Sequence, residues 1–90
     1  MDIEFDEQKR RRVLLERGLD FVDAAVVFDH PNITIDDDRV DYNEHRHITF
    51  GKLGGRLVVV VWTERNGKRR IISLRKANDR EQKAFGARLG

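Results

Sequence analysis

The chain's longest apolar run lies within residues 56–75, RLVVVVWTERNGKRRIISLR. Residues 57–63 and 71–74 are rich in β-branched side chains and flank Asn66-Gly67, the dipeptide that best supplies the paired positive-φ positions of a type I′ turn. The pattern predicts a β-hairpin pairing Arg65 with Lys68, Glu64 with Arg69, Thr63 with Arg70, Trp62 with Ile71 and Val58 with Arg75. Unbroken pairing puts Leu57, Val59, Val61, Ile72 and Leu74 on one face, ending in Thr63, Arg65, Lys68 and Arg70. The other face carries Val58, Val60, Trp62 and Ile71 with Glu64, Arg69, Ser73 and Arg75. A strand pair with an aliphatic middle and arginines at its ends is suited to hold an anion against a rigid sheet.

The remaining elements follow in chain order. Residues 1–5 predict a short edge strand. Asp6 is an N-cap for a helix over 7–17 that Gly18 ends, and Val13, Leu14 and Leu15 are its main apolar residues. The basic run Lys9-Arg10-Arg11-Arg12 reads either as a solvated face or as a surface for RNA or an acidic protein. Asp20 caps a second helix in which Phe21, Ala24, Ala25 and Phe28 repeat at i, i+3, i+4 and i+7, a stripe expected in the core. After Pro31, Ile33, Ile35 and Val40 alternate through Asp36-Asp37-Asp38-Arg39-Val40-Asp41. That segment lacks the Gly and distal Glu of a calcium-binding loop and reads as a solvated turn.

Residues 44–51, EHRHITFG, predict a third long strand, joined to the hairpin through residues 52–55. An even-length loop there gives Glu44, Arg46, Ile48 and Phe50 the face of Val59 and Val61, and His45, His47 and Thr49 the face of Trp62. Asn78-Asp79-Arg80-Glu81 has the form of a capping box and opens a C-terminal helix bearing Ala84, Phe85 and Leu89. The expected fold is α+β: a single domain, 1–90, with a small antiparallel sheet of three long strands plus short edge strands. Two N-terminal helices and one C-terminal helix pack on one face of that sheet.

Composition narrows the function classes. Eighteen Lys and Arg against 16 Asp and Glu leave a net charge of only +2, so the distribution matters more than the sum. Acidic residues gather at 36–44 and basic ones at 65–76, which suits a polyanion on one side. The absence of cysteine excludes disulfides, a thiolate nucleophile and a Cys-based zinc site, and fits a reducing cytosol. With neither a signal-like apolar segment nor a run of spanning length, the expectation is a cytoplasmic protein that does not enter a membrane.

Two constellations compete to carry chemistry. One is His45, His47, Trp62, Glu64, Arg69, Ser73 and Arg75, which combines a proton acceptor, arginines for a phosphorane-like transition state and an aromatic to stack a base. Such a set suits metal-free RNA cleavage, a reaction DNA cannot undergo because it lacks the 2′-hydroxyl. The other is Glu44, Arg46, Arg65 and Arg70 with Lys76, a carboxylate base among guanidinium clamps. Cross-strand salt bridging is the plain alternative for either group. His45-x-His47 offers two metal-ligating nitrogens without a third ligand evident in the sequence, so no metal and no cofactor is expected.

Several stretches together resemble the BrnT toxins of bacterial toxin–antitoxin systems. They are Phe5-Asp6 with Lys9, Arg17-Gly18-Leu19-Asp20-Phe21 with Ala24-Ala25 and Phe28, Asp41-Tyr42-Asn43-Glu44-His45-Arg46 with Gly51, and Val58-Val59-Val60-Val61 with Thr63 and Arg65. The run Arg70-Ile71-Ile72-Ser73-Leu74-Arg75-Lys76-Ala77 with Glu81 completes them. The resemblance implies a RelE-like fold and a metal-independent endoribonuclease that leaves a 2′,3′-cyclic phosphate and inhibits translation and growth. It also implies neutralisation by a cognate BrnA-like antitoxin, oligomeric complexes with it, and contact with DNA only through that antitoxin. Matched position by position, it points to Glu44, Arg46, Arg65, Arg70, Arg75 and Lys76, with Lys9. The sequence departs from the family where Phe5 and Asp6 are adjacent, where Arg17 replaces a histidine and where Phe85 stands for a tyrosine. Residues and resemblance together make Glu44 or His47 the base, Arg46, Arg70 and Arg75 the phosphate clamps, and Lys9, Arg65, Lys76 and Trp62 the RNA contacts. A non-catalytic module that docks a protein or nucleic acid on its basic sheet face is the alternative.

Overall fold

Both hairpin turns form where glycine and asparagine permit positive φ. Asn66 and Gly67 adopt φ of 55° and 76°, and Gly54 and Gly55 adopt 59° and 79°, so two-residue loops close both connections. The computed structural model describes residues 1–38 and 43–89; Arg39, Val40, Asp41 and Tyr42, including the Val40 alternation and the Asp41-Tyr42 match, lie outside the described residues. Strands β1 (Ile3–Glu4), β2 (Asn32–Asp37), β3 (Arg46–Leu53), β4 (Arg56–Arg65) and β5 (Lys68–Lys76) form one sheet in the order β1-β5-β4-β3-β2. The class is α+β, as expected. The sheet is mixed, because β1 runs parallel to β5 while the other pairs are antiparallel. The aspartate-rich segment is not wholly a turn: Asp36 and Asp37 belong to edge strand β2.

Helix α1 (Glu7–Arg17) begins at Asp6, whose carboxylate accepts from Gln8 N, and stops at Gly18 with φ 69°. Asp20 caps a 3₁₀ turn, Phe21–Asp23, that leads into α2 (Ala24–Asp29). Because the turn changes the helical period, Phe21, Ala24 and Val27 face the core and Ala25 is exposed, which corrects the expected stripe. Asn78 and Glu81 form the capping box that starts α3 (Asp79–Glu81), and helical turns continue through residues 82–89.

Helices cover both faces of the sheet rather than one. Val13, Phe21, Ala24 and Val27 pack with Val58, Val60, Trp62, Ile71 and Leu74, whereas Phe85 and Leu89 pack with Phe50, Leu57 and Val59 on the reverse. The Phe50 and Phe85 rings stack at 4.2 Å. The run Val58-Val59-Val60 therefore loses all contact with water, each residue at 1% exposure or less. Consecutive valines buried at both parities need cover on both sides.

The register follows the turn only as far as the middle of β5. Arg65–Lys68, Glu64–Arg69, Thr63–Arg70 and Trp62–Ile71 pair as the turn requires, but a bulge lies between Val61 and Trp62. Val61 pairs with Ser73, leaving Ile72 as the extra residue, and Val58 pairs with Lys76 rather than Arg75. Beyond Ile72 every β5 side chain changes face. Leu74 enters the main core at 0% exposure, while Ser73 and Arg75 join the face of Val59, Val61 and Thr63.

Two contacts give measurable expectations. A Cβ at Gly51 would meet Val27 Cγ1 at 2.6 Å, and Val27 is fully buried. Gly51→Ala should therefore cost about 1–3 kcal/mol in urea unfolding. Arg10 grips Asp20 through Nε at 2.8 Å and Nη2 at 3.0 Å. These bonds, with the Val22 N–H, hold the Asp20 carboxyl below its ordinary 3.8. A depressed carboxyl stabilises the fold above its ordinary pKa, and that contribution disappears as pH falls through the folded value. Asp20→Asn should thus lose less stability than the parent on acidification from pH about 4 to about 2, followed by thermal melts.

Candidate functional site

Arg46, Arg65 and Arg70 share one face by the turn register, and the bulge brings Arg75 onto it. Arg46 and Thr63 are cross-strand partners, as are Thr63 and Arg70, so three adjacent strands present Arg46, Thr63 and Arg70 in one row. Arg65 lies two residues beyond Thr63 on β4, and Arg75 shares the face through its pairing with Val59. The C-terminal helical turns cover the Phe50–Val59 half of this face. Its other half, with half-buried Ile48 and Val61, leads to the arginines.

Glu44 lies among these charges. Its Oε1 accepts from Arg46 Nε at 3.2 Å and its Oε2 from Arg65 Nη2 at 3.4 Å. Arg70 Nη1 is 3.7 Å from Glu4 Oε1, a contact that follows from the Glu4–Arg70 pairing of β1 with β5. By contrast, the Arg75 fork donates to both Glu81 oxygens at 2.8 Å, while Glu81 Oε1 also accepts from Asn78 N. The Arg75 pair is a tight bidentate clamp that ties the sheet to α3. The Arg65 and Arg70 contacts are long and half-exposed, so exchanging them for a phosphate costs little.

Helix α1 brings Lys9 to the same end of the sheet. Partial burial, then the positive fields of Arg46 and Arg12 and, more weakly, Arg70, lower the Lys9 pKa from its ordinary value, against an opposing pull from Asp6.

Other residues expected at the site lie elsewhere. His47 pairs across the strands with Trp62 and Asp36, on the face opposite Glu44 and Arg46; facing decides this, and it separates His47 from the arginine group. Trp62 is only 8% exposed. Its ring meets the edge of Phe28 at 5.5 Å and His47 at 4.4 Å, and its Nε1 donates to Thr49 Oγ1 at 2.8 Å. A tryptophan so enclosed cannot stack a base, which corrects its expected role. Lys76 pairs with Val58 and so falls on the opposite face from Arg75. Arg69 lies over the Phe28 ring at 4.0 Å, away from the arginine row. The mixed constellation of histidines with Arg75 does not form.

Three contributions escaped the sequence reading. Glu4 was too distant in the chain to be recognised as a partner of Arg70. Asp36 supplies a carboxylate beside both His45 and His47. The bulge had one signal: Ile71 and Leu74 are both large and apolar yet three apart, so an unbroken strand would put them on opposite faces. Two departures from the family pattern have visible work, since Arg17 Nη1 donates to Leu74 O at 2.9 Å and Phe85 stacks on Phe50.

The open end of a small α+β sheet thus sets Glu44 and Glu4 among Arg46, Arg65 and Arg70. The chain belongs to the BrnT family: residues 5–81 match the family described as ribonuclease toxin, BrnT, of type II toxin-antitoxin system. Membership makes it a ribonuclease toxin, with RNA as substrate and a cognate antitoxin protein as partner. No individually curated protein matches the sequence. Among the described residues no helix is long and apolar enough to cross a membrane.

Lys9 offers a probe of the site's field. Arg46→Ala should raise the Lys9 titration midpoint, because it removes a positive charge that disfavours the ammonium, and Arg12→Ala should raise it less. NMR titration of ¹³C-labelled lysine checks the order.

Proposed function

We propose that this toxin cleaves RNA without a metal, by attack of a ribose 2′-oxygen on the adjacent phosphorus. The Glu44 carboxylate takes the 2′-hydroxyl proton, the new O2′–P bond forms, and the P–O5′ bond breaks to leave a 2′,3′-cyclic phosphate and a 5′-hydroxyl. Arg46 and Arg70 flank the scissile phosphate and neutralise the charge that builds on its oxygens. Arg65 holds a neighbouring phosphate and fixes the orientation of Glu44. Lys9, whose lowered pKa makes it a better proton donor, protonates the departing O5′. Arg75 contributes mainly through its field and by anchoring α3, since Glu81 occupies its fork.

The observation that carries this reading is Glu44 bridged by Arg46 and Arg65 on the face that also presents Arg70. In the cytoplasm such cleavage would inhibit translation and growth. A BrnA-like antitoxin with a DNA-binding domain would neutralise the toxin in an oligomeric complex and carry it to DNA.

Purified antitoxin-free protein should cleave single-stranded RNA in EDTA and yield cyclic-phosphate ends by mass spectrometry. Glu44→Gln should lower the rate about 10²–10⁴-fold, and Arg70→Ala about 10²–10³-fold. Arg75→Ala should cost less activity and more stability. No cleavage in EDTA, or an unimpaired Glu44→Gln protein, rules the mechanism out. A second reading is favoured by the Glu44 ion pairs themselves, which in a binding-only module would simply brace the sheet. It predicts RNA binding that weakens in Arg46→Ala, with no cleavage and harmless expression.

A further inference from the structure

On the other face, at the edge of the sheet, Asp36, His45 and His47 converge. Their ligand atoms all lie within 4.8 Å of one another, which no other trio of histidine and acidic side chains among the described residues achieves. His45 Nε2 is 3.1 Å and His47 Nδ1 is 3.5 Å from the same oxygen, Asp36 Oδ1. Zinc bonds of about 2.0–2.1 Å to imidazole and carboxylate place neighbouring tetrahedral ligands about 3.4 Å apart. The two measured separations bracket that value. We propose that Asp36, His45 and His47 form a binding site for one divalent transition-metal ion of the zinc class, completed by water.

Backbone geometry supports the site before any metal arrives. Asp36 and His47 are direct cross-strand partners in β2 and β3, so the sheet itself sets their separation. His45, two residues earlier than His47, faces the same way, and its carbonyl accepts from Thr63 Oγ1 at 2.7 Å. The His47 ring lies against Trp62, which is fixed by its bond to Thr49, and Thr49 Oγ1 is in turn 2.8 Å from Thr34 Oγ1. This chain fixes Trp62, and the ring contact with Trp62 restrains the His47 imidazole. His45 and Asp36 are exposed, at 64% and 68% of their side chains, and are free to close the remaining distance.

The donor set selects the ion. Two imidazoles and one carboxylate suit zinc, nickel or copper, whereas calcium and magnesium require more oxygens. The ion would staple edge strand β2 to the segment that leads into β3. Since His45 stands between Glu44 and Arg46, it would also restrain the backbone that carries both. The RNA-cleaving residues lie on the opposite face, so metal binding and metal-independent cleavage are separate properties.

Calorimetry on tag-free, EDTA-stripped protein with zinc chloride tests the site without reference to RNA. The expected result is one zinc per chain, a melting temperature that rises with zinc but not with magnesium, and cobalt(II) absorption bands of low-coordinate type. His45→Ala and Asp36→Asn, both at exposed positions, should each weaken zinc binding about tenfold or more while leaving the metal-free melting temperature within a few degrees of the parent. Absence of stoichiometric zinc binding, or binding that survives both substitutions, overturns the proposal.

Discussion

One extra residue in β5 organises the rest of the molecule. The Asn66-Gly67 turn dictates pairing up to Trp62–Ile71, and without the bulge the same parity would continue to the strand's end. Leu74 would then leave the main core for the face of Val59, and Arg75 would be driven into the apolar layer under α1 and α2, where an unpaired charge is costly. With Ile72 out of register, Leu74 fills the core and Arg75 emerges beside α3 to meet Glu81. The bulge thus satisfies the core and adds Arg75 to the face of Arg46, Arg65 and Arg70 in one step.

The two faces of the sheet have different work. Under α1 and α2 the packing is dense, and Gly51 lets Val27 approach β3 more closely than any side chain would allow. Polar groups inside this layer are largely paired, as in the Thr34–Thr49–Trp62 relay. The exception is Arg69 Nε, which is buried without a hydrogen bond while its guanidinium lies over Phe28 and 5.2 Å from Trp62. Contact with two aromatic faces offsets part of that cost. The reverse face is covered only in part, and its uncovered half ends in the arginine row.

Ion-pair geometry separates scaffold from site. The Arg10–Asp20 and Arg75–Glu81 pairs are short, two-pronged and join different elements. Those around Glu44 and Arg70 are longer. Pairs of the first kind fix where helices sit on the sheet. Pairs of the second kind hold charged groups near one another at the open end of the sheet.

Much was legible in the chain alone. Asn66-Gly67, the Asp6 and Asp20 caps, Gly18 and the Asn78–Glu81 box each act over a few residues, so local chemistry decides them, and family membership rests on motifs read in order. Facing beyond Ile72, cover on both sides of the valine run and the pairing of Glu4 with Arg70 depend on contacts between distant segments. A strand's parity can be reversed by one unpaired residue, and only competition between Leu74 and Arg75 for the core decides where that residue falls. His47 and Trp62 lie on the face that simple alternation assigns them, and only the tertiary structure shows that Asp36 is the histidines' partner there.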